Sequence, residues 1–196
     1  CGAATADSRR WFYRYSISSN SWEALANTTA DQGEGDAMTW DGINNCVYAT
    51  IGGEQRPTYF MRYDPSTNSW SDAPTDTPAG MGDGASLVWT GGNFLYALRG
   101  EFDEDSPLYS FWRYSLVDNV WTTMADIPAD AYDGGVGGVG DGGSLLYVGF
   151  WLSNQTDYVY ALSGNQAYPE PIPDNRTYRY TISMNSWERL ADLPLG

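Results

Sequence analysis

An acidic loop is the part of this sequence best suited to chemistry. Glu101, Asp103 and Asp105 lie within residues 101–105. Carboxylate oxygens at this spacing suit Ca²⁺, a hard cation that takes about six to eight oxygen ligands. We interpret the segment as a solvated charged turn and predict no cofactor, and a calcium site formed by these carboxylates is the alternative.

A second set of carboxylates recurs along the chain. Glu34, Asp83 and Asp141 each stand at the centre of a Gly-x-Gly triplet. Equivalent positions of repeated units meet around a common axis if the units are the blades of a propeller. These side chains are expected either to gather a cation near that axis or to cap the starts of strands.

The set of basic residues excludes several kinds of catalysis. All ten are arginine, and the sequence contains no histidine. The most frequent catalytic base and the commonest zinc ligand are therefore missing, and a Ser-His-Asp triad is impossible. We predict a protein that is not an enzyme and has no catalytic residue. A carbohydrate-active enzyme that uses two carboxylates is the weaker alternative, because any pair of Asp or Glu side chains can do that work.

Net charge limits the partners. The formal charge of the 196 residues is -15 at pH 7. Nucleic acids and anionic membranes both require clustered positive charge, so we predict no nucleic-acid partner. No apolar run approaches the roughly 18 residues that a membrane-spanning helix needs, so we predict no transmembrane segment.

One string of residue types occurs four times and organises the chain. An Arg-Tyr pair is followed by Asn and, two residues later, by Trp. The Tyr and Trp of each string are Tyr15 and Trp22, Tyr63 and Trp70, Tyr114 and Trp121, and Tyr180 and Trp187. This fourfold recurrence indicates a repeat protein built from one kind of supersecondary unit.

The spacing within the string predicts a β-hairpin. With four loop residues between Asp64 and Ser69, Tyr63 lies opposite Trp70 on one face of the hairpin. Such an aromatic cross-strand pair is expected to mark the buried face of each unit.

The same spacing pairs charged residues on the other face. It places Arg14 opposite Glu23 and Arg179 opposite Glu188. We interpret these arginines as surface ion pairs that contribute little to stability, and a binding role is the alternative.

A second string completes each unit. Three Gly-x-Gly triplets are each followed by an aromatic residue and then by Tyr-Ala-x-x-Gly. Short aromatic and β-branched segments bounded by Gly and Asn are typical of strands, so each unit is predicted to have four antiparallel strands. The predicted organisation is an N-terminal extension over 1–10, then repeats over 11–196: a half-blade at 11–26 and blades at 33–73, 82–124 and 135–190.

These residues resemble the kelch-repeat β-propeller family. The similarity lies in Tyr-Ala-Thr-Ile-Gly-Gly at 48–53, in Tyr-Asp-Pro-Ser-Thr-Asn-Ser-Trp at 63–70, and in the prolines that follow. The resemblance implies an all-β, kelch-like propeller of about three and a half to four blades. The double glycine occurs only once, since Gly100 precedes Glu101, and the third unit is lengthened in its linker at 134–138 and its loop at 150–156.

The repeat count leaves half a unit without a partner. The chain has four Arg-Tyr/Trp pairs of strands and three Gly-x-Gly/Tyr-Ala pairs. It is therefore a fragment of a longer repeat protein, a small ring with one reduced blade, or a protein whose copies cover one another's open faces. We favour self-association because of the unmatched half-unit. A head-to-tail contact that does not close would then generate filaments or tubes.

Three functions follow from these alternatives. The predicted function is a structural or adhesive propeller that assembles with copies of itself into a filament, tube or surface layer. The first alternative is a propeller that binds a glycan or protein through its loops, and the long Phe150-Trp151-Leu152 loop supports it. The weaker one is the carboxylate enzyme described above.

Cysteines and sequons favour an extracellular or cell-surface protein. Cys1 and Cys46 are expected to form a disulfide, or else Cys46 is a buried free thiol and Cys1 is free or carries lipid, as in a mature bacterial lipoprotein. Asn27, Asn154 and Asn175 lie in Asn-x-Ser/Thr sequons in predicted loops, which makes them candidates for glycosylation.

Overall fold

The computed structural model describes residues 9–53, 58–101, 109–129, 138–149, 156–166, 172–173 and 175–194. These residues form β-strands and connecting loops, with 3₁₀ conformation at 9–10 and over Ile182–Met184 and no α-helix among them. Within these ranges, no helix has the length and apolar composition needed to cross a bilayer.

Three antiparallel sheets of four strands and one of two strands follow one another along the chain. Half-blade 1 contains β1 (Tyr13–Ser16) and β2 (Ser21–Ala24). Blade 2 contains β3 (Ala37–Asp41), β4 (Cys46–Thr50), β5 (Phe60–Asp64) and β6 (Ser69–Asp72). Blade 3 contains β7 (Ser86–Trp89), β8 (Phe94–Leu98), β9 (Phe111–Ser115) and β10 (Val120–Thr123).

The last blade is interrupted by a small extra sheet. Blade 4 contains β11 (Ser144–Val148), β12 (Tyr158–Leu162), β15 (Thr177–Thr181) and β16 (Ser186–Arg189). Between β12 and β15, β13 (Asn165–Gln166) pairs with β14 (Ile172–Pro173). The sequence predicts the added length of this unit in its linker and first hairpin loop, and this small sheet lies outside that prediction. The predicted all-β, kelch-like propeller of four-stranded blades is confirmed.

The hairpins have the predicted pairing. Tyr63 pairs with Trp70, and the same partners meet in the other three units. The loop Asn adopts a left-handed conformation in each, with φ between 48° and 57°, which Asn tolerates better than most residues. On the opposite face, the guanidinium of Arg14 donates to Glu23 and that of Arg179 donates to Glu188, each at 2.7 Å.

The hydrophobic core lies between blades. One cluster joins Tyr48 and Phe60 of blade 2 to Tyr114 of blade 3. A second cluster joins blade 3 to blade 4 through residues such as Phe111 and Tyr180. Each sheet is therefore stable only with its neighbours, as expected when a small repeat cannot bury both faces alone.

Glycines bring the inner strands of adjacent blades together. Gly35 has φ +80° and Gly84 has φ +75°, and their backbones contact Gly82 and Gly140 of the following blade. A Cβ atom at either position would overlap the facing carbonyl oxygen. The Gly-x-Gly triplets thus serve close backbone packing near the propeller axis.

Candidate functional site

The repeated Tyr and Asn side chains form one hydrogen bond in every unit. The Tyr hydroxyl donates to the Asn Oδ1 in all four hairpins, at 2.9 Å for Tyr63 and Asn68 and at 3.0 Å for Tyr114 and Asn119. Burial raises the pKa of Tyr114 to about 12. The phenol therefore stays protonated at neutral pH and acts as a donor.

In each full blade, the Trp and Asn of the repeated string form hydrogen bonds to the preceding sheet. In blade 2, Trp70 Nε1 donates to the Ala26 carbonyl at 3.0 Å, and the Ala26 N–H donates to Asn68 Oδ1 at 2.9 Å. In blade 4, Trp187 Nε1 donates to the Ala125 carbonyl at 2.9 Å. The Ala125 N–H completes that pair by donating to Asn185 Oδ1 at 2.8 Å. We call these two hydrogen bonds to one alanine the interblade latch.

Blade 3 has a variant of the latch. Trp121 Nε1 donates to the Thr75 carbonyl at 3.4 Å, and the Thr75 hydroxyl donates to the Asn119 carbonyl at 2.6 Å. The tryptophan donor is the same, but its acceptor stands one residue later in the chain. Pro74, which has no N–H, occupies the position of the alanine, and Thr75 follows it.

Aromatic rings pack beside the latch. Phe60 of blade 2 lies 4.9 Å from Tyr114 and 5.0 Å from Trp121 of blade 3, between ring centroids. Phe111 of blade 3 lies at nearly the same distances from Tyr180 and Trp187 of blade 4. Edge-to-face contacts of this kind add to the stabilisation from burial.

Half-blade 1 carries the same aromatic pair without a sheet in front of it. Its Tyr15 is 43% exposed and its Trp22 is 70% exposed. The tyrosines at the position of Tyr15 in the full blades, Tyr63, Tyr114 and Tyr180, are at most 3% exposed. Among the described residues, Trp22 Nε1 has no hydrogen-bond acceptor. The expectation that this pair marks a buried face is therefore wrong for half-blade 1, because no described blade precedes it. We call the exposed side formed by Trp11, Tyr13, Tyr15 and Trp22 the leading face.

Blade 4 is open on its opposite side. Leu162 is 38% exposed, whereas Thr50 and Leu98 at the equivalent positions of blades 2 and 3 are fully buried. Gly142 corresponds to Gly35 and Gly84, yet a Cβ atom there would meet nothing within 4 Å. We call the side formed by Leu146, Tyr160, Leu162 and Thr177 the trailing face.

A groove lies beside half-blade 1. Its volume is about 350 Å³, and its walls include Phe12, Trp22, Met38, Ala49 and Trp70. Among the described strands, β1 pairs only with β2, whereas β5, β9 and β15 each pair on both sides. The groove therefore lies where blades 2, 3 and 4 have their two inner strands.

The Gly-x-Gly carboxylates lie close enough to repel one another. Burial, followed by the charges of Asp141 and Glu34, raises the pKa of Asp83. The described residues include no group of three His, Cys, Asp or Glu side chains arranged to hold a metal ion. The gathering of a cation by these three side chains stays a prediction.

Replacing Asp83 by Asn tests this repulsion. We expect Asp83→Asn to raise the melting temperature at pH 7 and low salt by up to about 3 °C. The pKa of Asp83 is raised in the fold, so its ionised form opposes folding above that pKa, and the gain should vanish as acid neutralises the wild type. Thermal melts between pH 3 and 7 measure this, with Asp126→Asn, at an exposed position, as the control. An equal gain from both variants would show that net charge alone is responsible.

The other predicted sites are only partly covered by the described residues. Cys46 is a buried free thiol that donates to the Asn44 carbonyl, and burial raises its pKa. Asn27 is exposed, whereas the Asn175 amide donates to the Leu193 carbonyl at 2.8 Å. Glu101 is 8% exposed and its backbone pairs with that of Asp83. The remaining positions, Cys1, Asp103, Asp105, Asn154 and the Phe150-Trp151-Leu152 loop, lie outside the described residues.

The sequence alone does not predict the partners of Trp70 and Trp187 in the latch. Asn68 and Asn185 belong to the repeated string, but the string assigns them no role, and Ala26 and Ala125 lie outside it. The signal was present, because each alanine stands four residues after a repeated Trp. A backbone N–H and carbonyl carry the interaction, so the side chain gives little indication of it.

Similarity to a known protein agrees with this architecture. The chain is 28% identical over 159 residues to Kelch-like protein 15 of Danio rerio, a match that covers 77% of the chain and 25% of that protein. The chain thus spans about a quarter of the length of this curated relative. No family model matches the sequence. The similarity supports the kelch-repeat resemblance drawn from the repeated strings.

Proposed function

We propose that this chain is an exported, non-catalytic structural propeller that binds protein through its leading face, and that its partner is a second copy of itself. One observation carries the proposal: an aromatic pair that is covered between blades three times is uncovered on half-blade 1, where Trp22 is 70% exposed. A surface with the chemistry of a blade interface is suited to receive another blade.

The size of the leading face supports a stable contact. A buried aromatic side chain covers roughly 150–250 Å². Covering the exposed half of four such rings contributes on the order of 10 kcal/mol at about 25 cal/mol per Å², before the entropy of association is subtracted. Because each copy carries a formal charge of -15, association should strengthen as salt screens the repulsion.

Composition and fold support the rest of the proposal. The lysine-free acidic sequence and the exposed Asn27 sequon favour an extracellular or cell-surface location. The absence of histidine favours a binding role over catalysis. The similarity to Kelch-like protein 15 favours a propeller that binds protein.

Ligand binding in the groove beside β1 is the second candidate function. Its aromatic walls, with Trp11, Trp22 and Trp70, are typical of sites where sugar rings or extended peptides pack. Tryptophan fluorescence during titration with oligosaccharides tests it. A saturable change that Met38→Arg abolishes would favour this function over self-association.

Sedimentation velocity of three proteins tests the proposed function. The wild type should form species larger than 21.6 kDa at micromolar concentration. Trp22→Ser should shift the mass to that of the single chain, because it removes the most exposed ring of the leading face. Val117→Ser is the matched control, since Val117 is 66% exposed but lies in a loop of blade 3. Equal masses for Trp22→Ser and the wild type would contradict the proposal.

A further inference from the structure

The first and last hairpins of the chain carry almost the same sequence. Residues 21–26 are Ser-Trp-Glu-Ala-Leu-Ala, and residues 186–191 are Ser-Trp-Glu-Arg-Leu-Ala. Both segments run from the second strand of the hairpin into the loop that follows it. Ala26 and Ala191 are therefore equivalent positions, four residues after Trp22 and Trp187.

Ala26 shows what this position does when a blade follows. Its carbonyl accepts a hydrogen bond from Trp70 Nε1, and its N–H donates to Asn68 Oδ1. Ala125 does the same for Trp187 and Asn185. One alanine thus provides hydrogen-bond partners for both the Trp Nε1 and the Asn Oδ1 of the following blade. These two bonds fix the position of that blade's Tyr-Trp pair.

Ala191 is in place for a latch whose second half is not found among the described residues. It is exposed, and neither its N–H nor its carbonyl has a hydrogen-bond partner among the described residues. The adjoining backbone is fixed, because the Leu190 N–H donates to the Thr177 carbonyl at 2.8 Å. At the other end of the described chain, Trp22 Nε1 lacks an acceptor, and Asn20 Oδ1 accepts only from Tyr15.

We infer that Ala191 of one copy closes an interblade latch with Trp22 and Asn20 of another. This inference rests on the proposed function and specifies its geometry. Trp22 Nε1 donates to the Ala191 carbonyl, and the Ala191 N–H donates to Asn20 Oδ1. The leading face of one copy covers the trailing face of the next, so the contact is head to tail and extends to a ring or a filament.

One position makes this joint looser than those within the chain. Thr177 lies where blades 2 and 3 carry Phe60 and Phe111, the rings that contact the next Tyr-Trp pair. Its Oγ1 is buried and has no hydrogen-bond partner. Replacing Thr177 by Phe should therefore tighten association, by about tenfold if it restores an aromatic contact of about 1 kcal/mol or slightly more.

Mixing two defective copies tests the inference. Trp22→Ser removes the indole donor of the leading face. Leu162→Arg places a charge on the trailing face, at a position that is fully buried between blades at Thr50 and Leu98. Each variant alone should remain a single chain at a concentration where the wild type associates. In an equimolar mixture, the intact Ala191 of one variant meets the intact Trp22 of the other, so particles of two copies and no larger should appear.

The outcomes separate this inference from the proposed function. If Leu162→Arg associates like the wild type while Trp22→Ser does not, the latch is wrong and the leading face still binds a copy. If Trp22→Ser associates like the wild type, the proposed function itself fails. A mixture that stays monomeric also overturns the latch.

Two further variants, chosen to preserve the fold, test the latch separately. Ala191→Ser keeps both the N–H and the carbonyl and should associate like the wild type. Asn20→Gly preserves the positive φ of 51° but removes the acceptor, and it should weaken association by about tenfold. Unchanged association of Asn20→Gly would contradict the latch even if Leu162→Arg does not fold.

Discussion

Gly84→Ala is expected to lower the stability of the protein by about 3 kcal/mol, or about 6–12 °C in melting temperature. A Cβ atom at this position would overlap the carbonyl oxygen of Gly140 in blade 4, and both partners are backbone, so neither can move aside cheaply. The φ of +75° adds the strain of a left-handed alanine. Thermal unfolding followed by near-ultraviolet circular dichroism measures the loss.

Gly142→Ala is the matched control for this variant. Gly142 has nearly the same φ, +80°, and a Cβ atom there meets nothing within 4 Å. We expect it to cost only about 1 kcal/mol, from backbone strain alone. Equal losses for the two variants would contradict the packing of Gly84 against the next blade.

Phe111→Ala should cost about 3–5 kcal/mol. Phe111 is fully buried, and its ring contacts Tyr96 of its own blade and Tyr180 and Trp187 of blade 4. Its removal leaves a cavity in the core that joins these two blades. Urea unfolding of wild type and variant measures the difference in free energy.

Phe12→Ala is the corresponding change in half-blade 1. Phe12 contacts Tyr63 and Trp70 at 5.0 Å but is only partly buried, at the groove. We expect a loss of about 1–2 kcal/mol, since less apolar surface is returned to water. A loss as large as that of Phe111→Ala would mean that half-blade 1 is as firmly packed as the full blades, which would contradict its description as an incomplete unit.

Local pairing could be predicted from the sequence because it depends on residues that are close along the chain. The spacing of Tyr63 and Trp70 determines which residues face each other across a hairpin, and the structure has that pairing in all four units. The ion pair of Arg14 and Glu23 follows from the same spacing.

Burial could not be predicted in the same way. Trp22 and Trp187 stand in almost identical hexapeptides, yet Trp22 is 70% exposed and Trp187 is partly buried. The difference depends on whether another sheet lies in front of the hairpin, which no local pattern contains. The β13–β14 sheet was missed for a related reason, since its strands have only two residues each and carry no periodicity.

Both outer sides of the described blades are apolar. The leading face has four exposed aromatic residues, Trp11, Tyr13, Tyr15 and Trp22. The trailing face exposes Leu146 and Leu162, which are 62% and 38% exposed. Two apolar faces of this kind are suited to cover each other in a head-to-tail contact between copies.

Photo-crosslinking from position 13 tests the central claim most directly. A benzoylphenylalanine in place of Tyr13, which is 45% exposed, keeps an aromatic ring on the leading face, leaves Trp22 intact and captures whatever covers that face. We predict crosslinks between two copies, mapped by mass spectrometry to the trailing face and the loop around Ala191, at 158–162 and 177–194. Crosslinks only within one chain, or none in material that is otherwise folded, would contradict the claim that the leading face binds a second copy.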